Sequence, residues 1–87
     1  MSNTILVVED DAGLREALID TLEMSGIECV AADSAEQAML LLKKESFSLV
    51  VSDVQMGAMS GLDLLRSIKL NYPDLPALMM TAYATID

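Results

Sequence analysis

Two short apolar runs in this chain each end abruptly in acidic residues. Residues 5–8 are followed by Glu9-Asp10-Asp11, and residues 49–52 are followed by Asp53. Short β-branched runs of this kind are typical of strands buried on both faces of a parallel sheet. Because parallel strands end at the same edge of a sheet, these carboxylates are predicted to meet at the edge where open α/β folds bind ligands.

Helical patterns separate the strand-like runs along the whole chain. The predicted strands are residues 5–8, 27–32, 49–52 and 77–81, and the predicted helices are residues 12–24, 35–44 and 62–71. Strands joined through helices form βαβ units with right-handed crossovers. If the first and third strands are neighbours, as their acidic ends indicate, the strand order is 2-1-3-4. The predicted fold class is therefore an α/β, flavodoxin-like, doubly wound parallel sheet.

Local signals predict where the helices begin and end. Asp11 and Ser34 are predicted N-caps, and Ser34 begins a capping box that includes Gln37. Gly26 stands where a left-handed C-terminal cap is needed. Helical spacing also predicts which side chains share a face. These are Leu14, Ala17, Leu18, Thr21 and Leu22 on the first helix, and Leu62, Leu65, Ile68 and Lys69 on the inward side of the third.

The charge balance excludes several classes of partner. The 87 residues include 14 acidic and 5 basic side chains, which gives a net charge of −9. Such a segment is not expected to bind nucleic acid through its phosphates or to adhere to an anionic membrane. No apolar run approaches the roughly 20 residues of a transmembrane helix. Cys29 is alone, so no disulfide framework is expected, and a cytoplasmic location is predicted.

The acidic edge has the chemistry of a magnesium site. Asp10 and Asp53 can supply carboxylate ligands, Glu9 can contribute through a water, and the backbone carbonyl of Gln55 can add a further oxygen. The chain has no His and a single Cys, which favours a hard ion over zinc or copper. A carboxylate beside such an ion can act as a nucleophile toward a phosphoryl group. Thr81, at the end of the fourth predicted strand, can donate its hydroxyl to a phosphoryl oxygen.

These motifs together resemble the receiver domain of two-component response regulators. The resemblance rests on four segments in order, residues 5–11, 49–56, 59–61 and 80–82. It implies a signalling domain and not an enzyme, with the whole chain, residues 1–87, as one receiver domain.

The resemblance also implies roles for the residues of the acidic edge. Asp53 would be the phosphoacceptor, supplied by a sensor histidine kinase. Glu9, Asp10, Asp53 and the Gln55 carbonyl would organise Mg²⁺, and Thr81 would be the switch hydroxyl. The tail, residues 80–87, is similar to receivers of the NtrC type, which implies a sigma-54-dependent transcriptional output.

The sequence departs from the family pattern in ways that leave alternatives open. Gly57 stands where proline is frequent, and Glu9 replaces the more frequent Asp. By the family pattern, a fifth strand with its lysine and the last helices are missing, so the receiver is expected to be incomplete and to self-associate. One alternative is an inactive fragment that only dimerises. Another is a Mg²⁺-dependent aspartyl-phosphate hydrolase, which is weakened because Gln55 cannot transfer a proton where a general acid is needed.

Overall fold

The structure is a computed structural model that describes residues 3–53 and 61–80. Within these ranges strands and helices alternate as predicted. In chain order the elements are β1 (Ile5–Val8), α1 (Ala12–Met24), β2 (Cys29–Ala32), α2 (Ala35–Lys44), β3 (Leu49–Asp53), α3 (Gly61–Asn71) and β4 (Ala77–Met80). The second strand begins two residues later than predicted, and the third strand extends one residue further, to Asp53.

The four strands form one parallel sheet in the order β2-β1-β3-β4. This order confirms the predicted flavodoxin-like arrangement, in which the first and third strands are neighbours at the centre of the sheet. In the register of β1 and β3, Val8 lies opposite Ser52. Glu9, the residue after β1, and Asp53, the last residue of β3, therefore lie at the same level of the sheet.

The two central strands are buried, as expected for a parallel sheet covered on both faces. Leu6, Val7 and Val8 of β1 and Val50 of β3 are fully inaccessible to solvent. The outer strand β4 is less protected, and its Leu78 is 56% exposed. Burial is therefore deepest at the centre of the sheet, directly below the ends that carry the acidic residues.

Helices α2 and α3 cover the main core. The core cluster consists of Leu6, Val8, Ala32, Ala35, Ala38, Leu42, Phe47, Val50, Leu64 and Ile68. In α3, Ile68 is buried as predicted, but Leu62 is 49% exposed and Lys69 is exposed, so their predicted inward placement is wrong. Leu64 takes the buried position instead.

Helix α1 packs less deeply than the other two helices. None of its residues is buried. Leu18 and Leu22 of the predicted face are half-buried, whereas Leu14 is 45% exposed. Among residues 3–53 and 61–80, none of the helices combines the length and apolarity that crossing a bilayer requires.

The predicted helix caps are present. The Asp11 carboxylate accepts a hydrogen bond from the Leu14 N–H at 3.0 Å. The Ser34 hydroxyl accepts one from the Gln37 N–H at 3.1 Å. Gly26, just after α1, has a φ of 83°, which is the left-handed conformation predicted for it.

Candidate metal centre

The parallel register brings three carboxylates together at the carboxyl edge of the sheet. Glu9 follows the last residue of β1, Asp10 comes next, and Asp53 ends the neighbouring strand β3. One carboxylate oxygen of each lies within 4.8 Å of the other two. These are the three carboxylates that the sequence nominated as metal ligands.

Glu9 is the buried member of this cluster, with 1% of its surface exposed. Its Oε2 accepts a hydrogen bond from the Asp11 N–H at 3.1 Å. Its Oε1 is buried and has no hydrogen-bond partner among the described residues. A buried carboxylate oxygen without a donor is energetically costly, and a proton or a cation at that oxygen would relieve the cost.

The pKa of Glu9 reflects this environment. Burial is the main cause of its rise from an ordinary value of 4.5 to about 7, and the hydrogen bond from the Asp11 backbone partly opposes that rise. The negative charge of Asp53 and the contacts with the Asp10 and Asp53 carboxyl groups contribute to the same rise in the pKa of Glu9. Like charges held this close disfavour ionisation unless a positive charge lies between them.

The other two carboxylates can be reached from solvent. Asp53 is half-buried at the end of β3, and Asp10 is exposed in the β1–α1 loop. The site therefore offers three hard oxygen donors, of which one is sequestered and two are accessible. Hard oxygen donors in this number fit Mg²⁺, which takes carboxylates together with waters or phosphate oxygens.

Arg15 is a residue at this site that the sequence analysis missed. Its Nη1 donates a hydrogen bond to the backbone carbonyl of Glu9 at 2.8 Å. It lies in the first turn of α1, where the helix dipole disfavours a cation. A basic residue in that position, six residues after Glu9, is the signal that could have identified it.

Two predicted site residues lie outside the part of the chain that the structure describes. These are Gln55, whose carbonyl was predicted to add a metal ligand, and Thr81, the predicted switch hydroxyl. Gly57 lies outside it too. Their roles stay predictions.

Comparison with known proteins identifies the class to which this fold and site belong. Residues 5–87 match the family described as the response regulator receiver domain. The chain therefore belongs to the receiver domain family of response regulators, as the sequence motifs indicated.

Two curated relatives show where such a domain occurs. The chain is 55% identical over 87 residues, its whole length, to the response regulator protein FleR of Pseudomonas aeruginosa. It is 36% identical over 83 residues, 95% of its length, to the DNA-binding transcriptional regulator NtrC of Proteus hauseri. In both cases the chain spans only 18% of the length of the relative.

The fold agrees with that of a solved response regulator structure that carries a ligand. The response regulator protein TrrA of Thermotoga maritima, crystallised in complex with Mg²⁺-BeF, superposes with a TM-score of 0.91 at 31% identity. The match covers 95% of this chain and 72% of that one.

Proposed function

We propose that this chain receives a phosphoryl group on Asp53 from a sensor histidine kinase. Asp10, Asp53 and the Gln55 carbonyl bind Mg²⁺ directly, Glu9 contributes through a water, and the Thr81 hydroxyl contacts the phosphoryl group. The observation that carries this proposal is the convergence of three carboxylates within 4.8 Å of one another, one of which, Glu9, has a buried oxygen without a donor among the described residues.

The described residues support this division of roles. Asp53 is half-buried at the end of a central strand, so its carboxylate is held by the sheet yet accessible to a phosphodonor. An Asp53 oxygen bonds to phosphorus while the bond from phosphorus to the leaving group breaks, and the electron pair departs with that group. A bound Mg²⁺ supplies positive charge that offsets the negative charge of the transferring group.

The relatives suggest what the phosphorylation controls. One is named a response regulator protein and the other a DNA-binding transcriptional regulator. We therefore propose that phosphorylation of Asp53 switches a transcriptional output of the sigma-54-dependent type. Because this segment has a net charge of −9, DNA contact is assigned to other parts of such a regulator.

The partners follow from the same proposal. The kinase meets this domain in the cytoplasm, and the chain self-associates through its less protected strand β4, where Leu78 is 56% exposed. Neither contact requires a membrane or a nucleic acid.

The test is phosphorylation by a small-molecule donor. The chain is incubated with Mg²⁺ and acetyl phosphate, and intact-mass spectrometry measures the addition of one phosphoryl group. We expect modification of the wild type, none of Asp53→Asn, and none of the wild type when a chelator removes Mg²⁺. Equal modification of Asp53→Asn, or none of a folded wild type, would refute the assignment.

A further inference from the structure

Arg15 occupies a position that the stability of its own helix does not explain. It is the only basic residue of α1, and it lies in the first turn, where the positive end of the helix dipole repels a cation. Its guanidinium reaches back over the β1–α1 loop, where Nη1 donates to the Glu9 carbonyl at 2.8 Å. Hydrogen bonds from a charged donor are stronger than those between neutral groups.

The contact completes the anchoring of Glu9. On one side, the Glu9 N–H donates to the Ala32 carbonyl at the end of β2, at 3.0 Å. On the other side, the Glu9 carbonyl accepts from Arg15. Both backbone groups of Glu9 are therefore fixed, one by the sheet and one by α1.

Fixing the Glu9 carbonyl also orients Asp10. The peptide bond is planar, so the direction of the Glu9 carbonyl sets the direction of the Asp10 nitrogen and the Asp10 Cα. The Asp10 side chain is exposed, so surrounding packing does not constrain it. The peptide group before Asp10 is consequently one restraint that directs this carboxylate toward Glu9 and Asp53.

We infer that Arg15 is a positioning residue for the metal centre, acting through the Glu9 carbonyl to hold Asp10 in the cluster. This inference rests on the proposed function, because it concerns the same magnesium site. Three carboxylates within 4.8 Å repel one another when they are ionised, and that repulsion favours opening of the β1–α1 loop. The Arg15 hydrogen bond opposes this opening and keeps the ligands assembled before the ion binds.

The direction in which Arg15→Gln changes Mg²⁺ affinity distinguishes a positioning role from a simple effect of charge. Arg15→Gln removes a positive charge beside a cation site, so electrostatics alone would tighten Mg²⁺ binding. Positioning predicts the opposite, because the loop loses its restraint. Arg66→Gln is the matched control: Arg66 lies on α3, its side chain is 82% exposed, and its ion pair is with Asp63 at 3.5 Å.

The first measurement is Mg²⁺ affinity by calorimetric titration of the folded chain. We expect Arg15→Gln to bind Mg²⁺ about tenfold more weakly than the wild type, as is usual when a residue supporting a metal ligand is removed. Arg66→Gln should bind as the wild type does. Arg15→Lys keeps the positive charge and a donor nitrogen but loses the planar guanidinium. Its Mg²⁺ affinity should therefore lie between those of the wild type and Arg15→Gln.

The second measurement needs no metal. In the presence of a chelator, hydrogen exchange of the Asp11 amide, which donates to Glu9 Oε2, should be faster in Arg15→Gln and unchanged in Arg66→Gln. If Arg15→Gln does not fold, Arg15→Lys replaces it in both measurements. An Arg15→Lys variant with the Mg²⁺ affinity and the Asp11 amide exchange rate of the wild type would then overturn the inference.

The outcomes distinguish this inference from the proposed function. Tighter or unchanged Mg²⁺ binding by folded Arg15→Gln overturns the role of Arg15 alone. A wild type that binds no Mg²⁺ overturns the proposed function and the metal role of Arg15 with it.

Discussion

Glu9 is a buried carboxyl group that titrates near neutral pH, and it contributes to the pH dependence of the domain's stability. Its pKa is about 7 in the folded chain because burial disfavours the charged form. In the unfolded chain the pKa returns toward 4.5. A group whose pKa is higher in the folded state contributes its full stabilisation at pH values below its unfolded-state pKa. This contribution is lost as the pH rises through its folded-state pKa.

The first prediction is that ionisation of Glu9 destabilises the fold as the pH rises. Without metal, raising the pH from below 4.5 to above 7 should remove up to about 3 kcal/mol from the wild type's free energy of unfolding through the ionisation of Glu9, since each unit of pKa difference corresponds to about 1.4 kcal/mol. Glu9→Gln should lack this loss and be more stable than the wild type at alkaline pH. Urea denaturation in a chelator measures the effect.

The control for this prediction is Glu16→Gln, an exposed change of the same kind on α1. It should keep the wild-type pH dependence. Adding Mg²⁺ should restore the wild type at alkaline pH, because a ligand that binds only the folded state stabilises it. A Glu9→Gln variant with an unaltered pH profile would mean that another group is responsible.

A second prediction concerns Asp10, the exposed carboxylate of the cluster. Asp10→Asn should weaken Mg²⁺ binding by tenfold or more, on the order expected for loss of a ligand charge. The same change should slightly stabilise the metal-free chain, because one repulsive charge is removed. Asp20→Asn, an exposed change on α1, should alter neither property. Unchanged Mg²⁺ affinity in Asp10→Asn would exclude Asp10 as a ligand.

At the scale of elements, the third prediction compares the two glycines at the ends of α1. Gly26 has a φ of 83°, so Gly26→Ala should destabilise the chain by about 1 kcal/mol or more. Gly13 lies inside the helix, and an added Cβ would come no closer than 3.4 Å to the Asp11 Oδ1. Gly13→Ala should therefore stabilise by up to about 1 kcal/mol. Thermal unfolding measures both changes, and shifts of the same sign would contradict the argument.

The elements also show where prediction from sequence succeeds and where it fails. Asp11, Gly26 and Ser34 act through local hydrogen bonds or local backbone geometry, so the sequence contains what is needed to predict them. The rotation of a helix depends on its neighbours instead. In α3, leucines at 62, 64 and 65 permit more than one inward face, and packing against α2 and the sheet selects Leu64.

At the scale of the whole molecule, the strand order was predictable because of its acidic ends. Carboxylates after two apolar runs indicated that those strands are neighbours, and the observed order β2-β1-β3-β4 places them side by side. The same reasoning predicted that Glu9, Asp10 and Asp53 lie together as metal-site carboxylates. Arg15 was not found in this way, because its contact is with a backbone carbonyl, and its only signal in the sequence is a basic residue in the first turn of a helix.

The final prediction concerns self-association through β4. Within the described residues β4 pairs with β3 on one side only, and Leu78, in register with Val51, is 56% exposed. Apolar strands at the edge of a sheet tend to pair with another chain. The net charge of −9 opposes this pairing, so salt should strengthen it by screening the repulsion.

Light scattering at increasing protein and salt concentration measures this association. Leu78→Glu should give a monomer under conditions in which the wild type associates, because it places a charge on the exposed strand. Leu70→Glu adds the same charge at a leucine of α3 that is 82% exposed, and it should leave association intact. If both variants lose association equally, the added charge and not the strand is responsible. If the wild type stays monomeric at high protein and salt concentration, β4 is not an interface.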